Sequence, residues 1–335
     1  MLRGMNTRIF ALALVLTLVA GCSSKQNKSE SYVKQGVDKA QKGKLDEAIA
    51  DFNQALELDP QNADAYYNRG VAEYSNGELE AAIADYNQVI EINPEGPVAN
   101  AFYNLGVTKT KKGDLVGAII AYDHAAKLNP TNAAIYLNRG IVKFGKGDLD
   151  GAMADDNKAI EFDPQYAEAY YNRGYAKYNK GDVDGAIADY SQAIEIDPKA
   201  AEAYGSRGLA KFDKGDLDGA VADDNEALNL NPKLAQVYNN RGNAKKRRND
   251  WDAAIADFDQ AIRLNSKDFI AYENRGSAKG GKGDLDGAIA DFNQAIELNP
   301  KDADAYKGRA LAKMQKGDVQ GAADDDYKAA QLSGN

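Results

Sequence analysis

Histidine and cysteine are almost missing from this chain: among 335 residues there is one of each, His124 and Cys22. A lone cysteine excludes an intramolecular disulfide. One histidine beside it excludes a structural zinc site and the usual nucleophilic engines built on Ser-His-Asp or Cys-His pairs. Tryptophan occurs once, as Trp251. Positive charge is also in deficit, with 41 Lys and Arg against 51 Asp and Glu and a net charge of −10. That balance argues against nucleic acid, or an anionic membrane surface held by charge, as a partner. Long apolar runs are lacking too: the longest, Ile9 to Ala20, falls short of the roughly 20 residues a membrane-spanning helix needs. What is there is 44% hydrophobic and 27% charged, a composition able to fold around packed cores.

Met1 to Cys22 opens with Arg3 and Arg8, continues through that short apolar run and closes on Val19, Ala20, Gly21 and Cys22. A basic start, an apolar core and small residues before a cut form the pattern of a secretory signal peptide. The V-A-G-C ending resembles a bacterial lipobox, which implies removal of residues 1–21 and lipidation of Cys22. Residues 22–28 then read as the lipidated cysteine and a polar tether. Ser23 resembles the outer-membrane sorting signal of enteric lipoproteins. The expectation is an exported chain, anchored through Cys22 at the periplasmic face of the outer membrane.

The remainder is periodic. Asp59-Pro60, Asn93-Pro94, Asn129-Pro130, Asp163-Pro164, Asp197-Pro198, Asn231-Pro232 and Asn299-Pro300 are spaced by 34, 36, 34, 34, 34 and 68 residues, and Asn265-Ser266 divides the double interval. Counting back gives nine units: 29–62, 63–96, 99–132, 133–166, 167–200, 201–234, 235–268, 269–302 and 303–335. A fixed period in this range is the signature of a solenoid. In the fifth unit, Ala169, Tyr170, Gly174 and Ala176 repeat at helical spacing. After Gly181-Asp182, so do Val183, Ala186, Ile187, Tyr190, Ala193 and Ile194. Gly181 suits the left-handed position after the first helix, Asp182 the cap of the second, and Pro198 its end. Such a helical hairpin cannot bury its apolar face alone, so neighbours must stack.

A hairpin of 34 residues with an aromatic at unit position 4, Gly at 8, Ala at 20, an aromatic at 24, Ala at 27 and Pro at 32 resembles the tetratricopeptide repeat. The resemblance runs from Ser29 to Asn335 and implies an all-α, right-handed superhelical solenoid of about nine hairpins. Position 4 (Tyr66, Phe102, Tyr136, Tyr170 and their equivalents) reads as core. The chain departs from the family at position 7, which is Arg in seven units where Leu is usual, and at position 11, mostly Lys. Position 23 is Asp in eight units, and unit three loses both partners, with Leu105 and Ala121. An Arg–Asp pair inside each hairpin is expected. Asp156, Asp224 and Asp326 replace the aromatic of position 24, read either as added acids of the same ion-pair ladder or as stacked carboxylates for a cation. The G-D-L-D-G stretches lack the further acids of a calcium loop and read as turns.

Positions 2, 5, 6, 9, 12 and 13 of the first helix share one stripe, which in the family lines the concave groove. Position 6 supplies Asn68, Asn104, Asn138, Asn172, Asn240 and Asn274. A ladder of side-chain amides can pair with the backbone of an extended peptide, and the competing reading is solvation or helix starts. Tyr67, Tyr103, Tyr171, Tyr175 and Tyr178, with Tyr74, Phe144 and Phe212, surround the ladder, either as an apolar groove or as packing between successive first helices. Unit seven places Asn243, Lys246 and Arg247 on the stripe, flanked by Lys245, Arg248 and Trp251, a candidate anion patch. Asn243 resembles one element of the family's carboxylate clamp, but position 5 is Asn239 in place of Lys. The period grows by two residues around Glu95, Gly96, Pro97 and Val98, which reads as a hinge or a longer turn.

The functional expectation is a non-enzymatic, lipid-anchored interaction scaffold that binds a protein or extended peptide in the groove, with no cofactor, no metal and no nucleic acid. The family includes lipoproteins of pilus or secretin assembly, cell-wall hydrolase docking and outer-membrane protein assembly, and no residue selects among them. The alternatives are an acidic divalent-cation-binding envelope protein and a targeting subunit of an envelope enzyme complex.

Overall fold

The computed structural model describes residues 24–94 and 98–334, all helices and connecting turns. The signal segment, Cys22 and residues 95–97 lie outside the described residues, and with them the expectations of lipidation and of a hinge. Eighteen helices form nine hairpins: α1 (Ser24–Gln41) with α2 (Leu45–Leu58), α3 (Ala63–Asn76) with α4 (Leu79–Ile92), α5 (Ala99–Lys112) with α6 (Leu115–Leu128), α7 (Ala133–Gly145) with α8 (Leu149–Phe162), α9 (Ala167–Asn179) with α10 (Val183–Ile196), α11 (Ala201–Asp213) with α12 (Leu217–Leu230), α13 (Ala235–Arg247) with α14 (Trp251–Leu264), α15 (Phe269–Lys282) with α16 (Leu285–Leu298), and α17 (Ala303–Lys316) with α18 (Val319–Ser333). The chain divides into two compact units, Met1–Pro130 with repeats 1 to 3 and Thr131–Asn335 with repeats 4 to 9.

Local chemistry sets each hairpin. In repeat 5, Gly181 takes φ +85°, a conformation that costs glycine little, and closes α9. The Asp182 carboxylate accepts from the Gly185 amide at 2.9 Å and caps α10. Asp148, Asp216, Asp284 and Asp318 cap their helices in the same way. Each first helix packs on its own second helix, and within each compact unit a second helix packs on the first helix of the next repeat. Successive first helices within a unit also touch, whereas successive second helices stay apart among the described residues. The first helices therefore form the inner side of each stack.

In six of the nine hairpins the centre is the position-24 ring. Phe52, Tyr86, Tyr122, Tyr190 and Phe258 are fully buried. They lie against a glycine of the first helix: a methyl group on Gly242 would come within 2.6 Å of the Phe258 ring. Position 4, expected as core, is fully buried only at Tyr136. Elsewhere the ring is half-buried, and wherever position 7 is Arg its guanidinium stacks on the ring, 5.4 Å from the ring centre at Tyr66 and at Tyr136 and 5.3 Å at Tyr170.

Two further expectations are corrected. Residues 24–28, expected in a tether, belong to α1. Lys, Gln and Glu continue the helix readily, and the buried Ser29 hydroxyl fixes it by donating to the Ala55 carbonyl at 2.9 Å. Asp156 and Asp224 do not join the ion-pair ladder. They occupy the place of a core ring, each 1% exposed, with Oδ1 unpartnered. Asp326 is exposed.

Candidate partner-binding face

The Arg–Asp pair exists inside the hairpins and is part of a larger device. In repeat 5, Arg173 Nε and Nη2 donate to the two Asp189 oxygens at 2.8 and 2.6 Å, a bidentate grip. Lys177 of position 11 adds a third contact at 2.8 Å. The remaining Arg173 nitrogen, Nη1, donates to Asn157 Oδ1 of the preceding repeat at 2.7 Å. Arg207, Arg241, Arg275 and Arg309 each repeat the bidentate grip and reach back to Ser191, Asn225, Asp259 and Asn293. Position 7 thus fastens its own hairpin and ties it to the one before. A second row lies at the hairpin tips, where Lys180, Lys214, Lys282 and Lys316 meet Asp150, Asp184, Asp252 and Asp286.

With these cations engaged, the first-helix stripe of repeats 4 to 6 carries amides, a hydroxyl, rings and the acids Glu168, Glu202 and Asp213. The six asparagines do not behave alike. Asn68 and Asn138 donate to carbonyls one turn back, Asp64 and Ala134, both at 2.8 Å. Asn104 donates to the Tyr67 hydroxyl at 3.1 Å, and Asn274 to Asn239 Oδ1 at 3.1 Å. Asn240 accepts from Gln236 at 3.1 Å. The Asn172 amide nitrogen is buried without an acceptor among the described residues. Position 6 is therefore a row in which some amides link neighbouring repeats and others fold back on their own helix.

The aromatic residues make contacts between successive first helices as well as within repeats. Phe144 lies against Tyr175 with ring centres 5.2 Å apart, and the Tyr171 hydroxyl is 3.4 Å from that of Ser206. The Tyr178 hydroxyl donates to Asp213. Tyr171 and Tyr103 tilt over the buried Tyr190 and Tyr122 of their own repeats, at 5.7 and 6.0 Å. Phe144, Tyr171, Tyr175, Tyr178 and Phe212 stay half-exposed, whereas Tyr103 is buried. Ser206 and Asp213 do not stand out in the sequence, and Asn239 stands out only as a departure from the carboxylate clamp. The signal that finds them is their separation of 35 residues from a stripe residue of the preceding or following repeat.

In repeat 7 most of the basic run is engaged. Lys245 pairs with Asp257 at 2.7 Å, and Arg248 with Asp218 at 2.6 Å. Lys246 donates to Asn274 Oδ1 at 2.9 Å, and burial holds its pKa below the usual lysine range. Arg247 is exposed, with its guanidinium 5.0 Å from the centre of the Phe212 ring. Asn243 lies half-buried on the same helix. Trp251 lies over α15, where a side chain on Gly281 would come within 2.9 Å of the indole. Away from repeat 7, the exposed His124 ring stacks on Phe102 at 4.8 Å.

Several carboxyls titrate far from their ordinary range. Burial pushes Asp156 and Asp224 up to about 8, reinforced by Asp155 and Asp223 beside them. Glu73, which stands where other repeats have Lys, is pushed up to about 8 by burial and by the charge of Asp85. Glu273, half-buried near Asp302 at the end of its own repeat, is pushed up to about 7 by partial burial and by that neighbouring carboxylate. No cluster of three or more His, Cys, Asp or Glu suited to a metal ion occurs among the described residues.

An array of helical hairpins, tied by repeated ion pairs and presenting a row of first-helix side chains within each compact unit, defines a protein-interaction scaffold. The chain belongs to the tetratricopeptide repeat family. Models described as "Tetratricopeptide repeat" match residues 33–97 and 235–268. One described as "TPR repeat" matches 108–147, 142–181, 174–212, 208–248 and 281–317, more than half of the chain. Comparison with curated proteins gives no match. Among solved structures the chain is similar to a chain of the APC/C hetero-tetramer Cut9-Hcn1, at 18% identity and a TM-score of 0.58, over 92% of this chain and 61% of that one. It is also similar to PilF of Pseudomonas aeruginosa, at 18% identity and 0.54, over 63% and 95%. MamA aligns at 29% identity and 0.46, over 51% and 93%. Proteins of this fold are in general non-enzymatic scaffolds.

Proposed function

We propose that the chain is a lipid-anchored scaffold of a bacterial envelope, tethered through Cys22 at the periplasmic face of the outer membrane, that holds an extended segment of a partner protein along its first-helix stripe. The observation that carries the groove is the row of half-exposed side chains on α7, α9, α11 and α13: it joins one repeat to the next while the Arg and Lys of positions 7 and 11 are engaged in ion pairs. An extended backbone needs regularly spaced donors and acceptors with apolar pockets between them, and amides and tyrosines supply both. A cation-carrier role is less well supported, because the repeated Asp of position 23 is neutralised by Arg and Lys of its own hairpin. The lipid anchor rests on the sequence alone.

Cross-linking pull-down from intact cells tests the groove, comparing the native chain with one carrying Asn138, Asn172, Asn240, Tyr175 and Tyr178 changed to Ala, with helicity checked by circular dichroism. Loss of the native partners from a folded variant is the expected result, and their retention would move the site off this stripe. The anchor is tested separately: Cys22→Ser is expected to abolish incorporation of labelled palmitate and release the protein from the membrane fraction.

A further inference from the structure

Position 12 of one repeat meets position 13 of the next, and at two junctions the chain uses that meeting to seat a cation on a ring. Lys111 Nζ stands 4.4 Å from the centre of the Tyr74 ring, and the Arg247 guanidinium 5.0 Å from that of Phe212. At the two junctions among repeats 4, 5 and 6 the corresponding residues are not cations. Asn179 turns back to donate to the Tyr175 carbonyl at 2.7 Å, and Asp213 accepts from the Tyr178 hydroxyl. Among the described residues no Lys or Arg stands over Phe144, Tyr171, Tyr175 or Tyr178. The stripe positions of repeats 4 to 6 contain no base at all, while Glu168, Glu202 and Asp213 lie exposed on them.

Ring faces carry negative electrostatic potential, and a cation held over several of them gains most when a carboxylate stands beside them. The chain's own Lys111 and Arg247 show the geometry at two other junctions. In repeats 4 to 6, half-exposed rings coincide with Glu168, Glu202 and Asp213, none of which is paired with a base among the described residues. We propose that repeats 4 to 6 bind an extended basic segment of a partner protein, an arginine or lysine of which lies over Phe144, Tyr175 and Tyr178 with its charge toward Asp213, while a second basic residue farther along the segment faces Glu202 at the other end of α11. This rests on the first-helix stripe being a peptide site, and it adds the sign of the peptide. Lys246 and Arg247 mark where the basic segment must end, since a further cation there would meet like charge.

The test titrates the full chain with three fluorescent, end-capped peptides of about a dozen residues, alternating Arg-Ser, Glu-Ser and Ala-Ser, read by anisotropy at two salt concentrations. The Arg probe is expected to bind at least about tenfold more tightly than the Glu probe. Phe144→Leu with Tyr178→Leu should weaken it about tenfold, and Asp213→Asn about threefold. Glu161→Gln with Glu195→Gln, exposed acids on the second helices, should leave it unchanged. If the leucine variant loses helicity, the exposed Asp213→Asn and Glu202→Gln changes carry the test without touching the core. Equal binding of all three probes, sensitive to the ring variants, would overturn the basic-segment inference and leave the stripe as the site. Arg binding that ignores the stripe variants and follows Glu161 and Glu195 would be general attraction to an acidic protein and would overturn it. No binding by any probe would overturn this inference and the stripe reading together.

Discussion

Asp189 is 4% exposed and survives as a buried carboxylate because Arg173 and Lys177 both hold it. Removing the arginine alone strands it, and breaking a buried pair from one side costs about 3–5 kcal/mol. Repeat 3 shows the other solution: Leu105 and Ala121 replace both partners, both are buried, and Lys109 lies 3.7 Å from Asp114 instead. Arg173→Leu with Asp189→Ala is therefore expected to cost much less than Arg173→Leu alone, with a coupling of about 2 kcal/mol in a urea-denaturation cycle. Asp156 makes a second prediction of this kind. In the unfolded chain an Asp titrates near about 4, and in the fold it is pushed up to about 8. Between those values the folded state holds the extra proton, so stability falls as pH rises across the window and levels off above it. Asp156→Asn should thus gain about 1–3 kcal/mol at about pH 8 and nothing at about pH 4, measured by thermal melts.

At the level of the element, the hairpin turn and its close helix contact set the stability. Asp182→Ala removes the cap of α10 and is expected to cost about 1 kcal/mol. The ring contact is stricter: a methyl group at Gly242 would fall 2.6 Å from Phe258, in a hairpin centre with no free space. Gly242→Ala should cost about 1–3 kcal/mol, read from urea unfolding, through overpacking. Both kinds of glycine stand out in the sequence at fixed repeat positions. Which one serves a left-handed turn and which a close approach follows from its place in the helix-turn-helix pattern. Not legible there was the exchange at position 24. An Asp in a ring's place reads as surface or ion pair by residue type, and only packing shows that the site stays buried.

For the whole chain, the upshifted carboxyls act in one direction, Asp64 and Glu168 included, and four of them are shifted far. Glu73, Asp156, Asp224 and Glu273 all hold a proton in the fold across the range from about 4 to between 7 and 8, where the unfolded chain has lost it. Asp325 works the other way. Arg309 and Lys313, against the opposing effect of burial, keep its pKa below the usual range, so its contribution is present above about pH 4 and lost on further acidification. The melting temperature is accordingly expected to be higher at about pH 5.5 than at about pH 8.5, and calorimetry across that range checks it. The net charge of −10 adds to the trend, because partial protonation relieves self-repulsion.

The hairpin count, the caps at Gly181 and Asp182, the Arg–Asp pairing and the family were all determined by the sequence, because each rests on local spacing that a 34-residue period repeats. Only the tertiary structure decided the reach of Arg173 to Asn157, the different fates of the six stripe asparagines, the burial of Asp156 and Asp224, and which rings meet their neighbours. These depend on side chains from successive repeats converging, and on how much water each junction excludes. A periodic sequence states which residue stands at which position. The energy of an amide or a carboxyl is set by its neighbours across the junction, and those neighbours exist only once the hairpins have stacked.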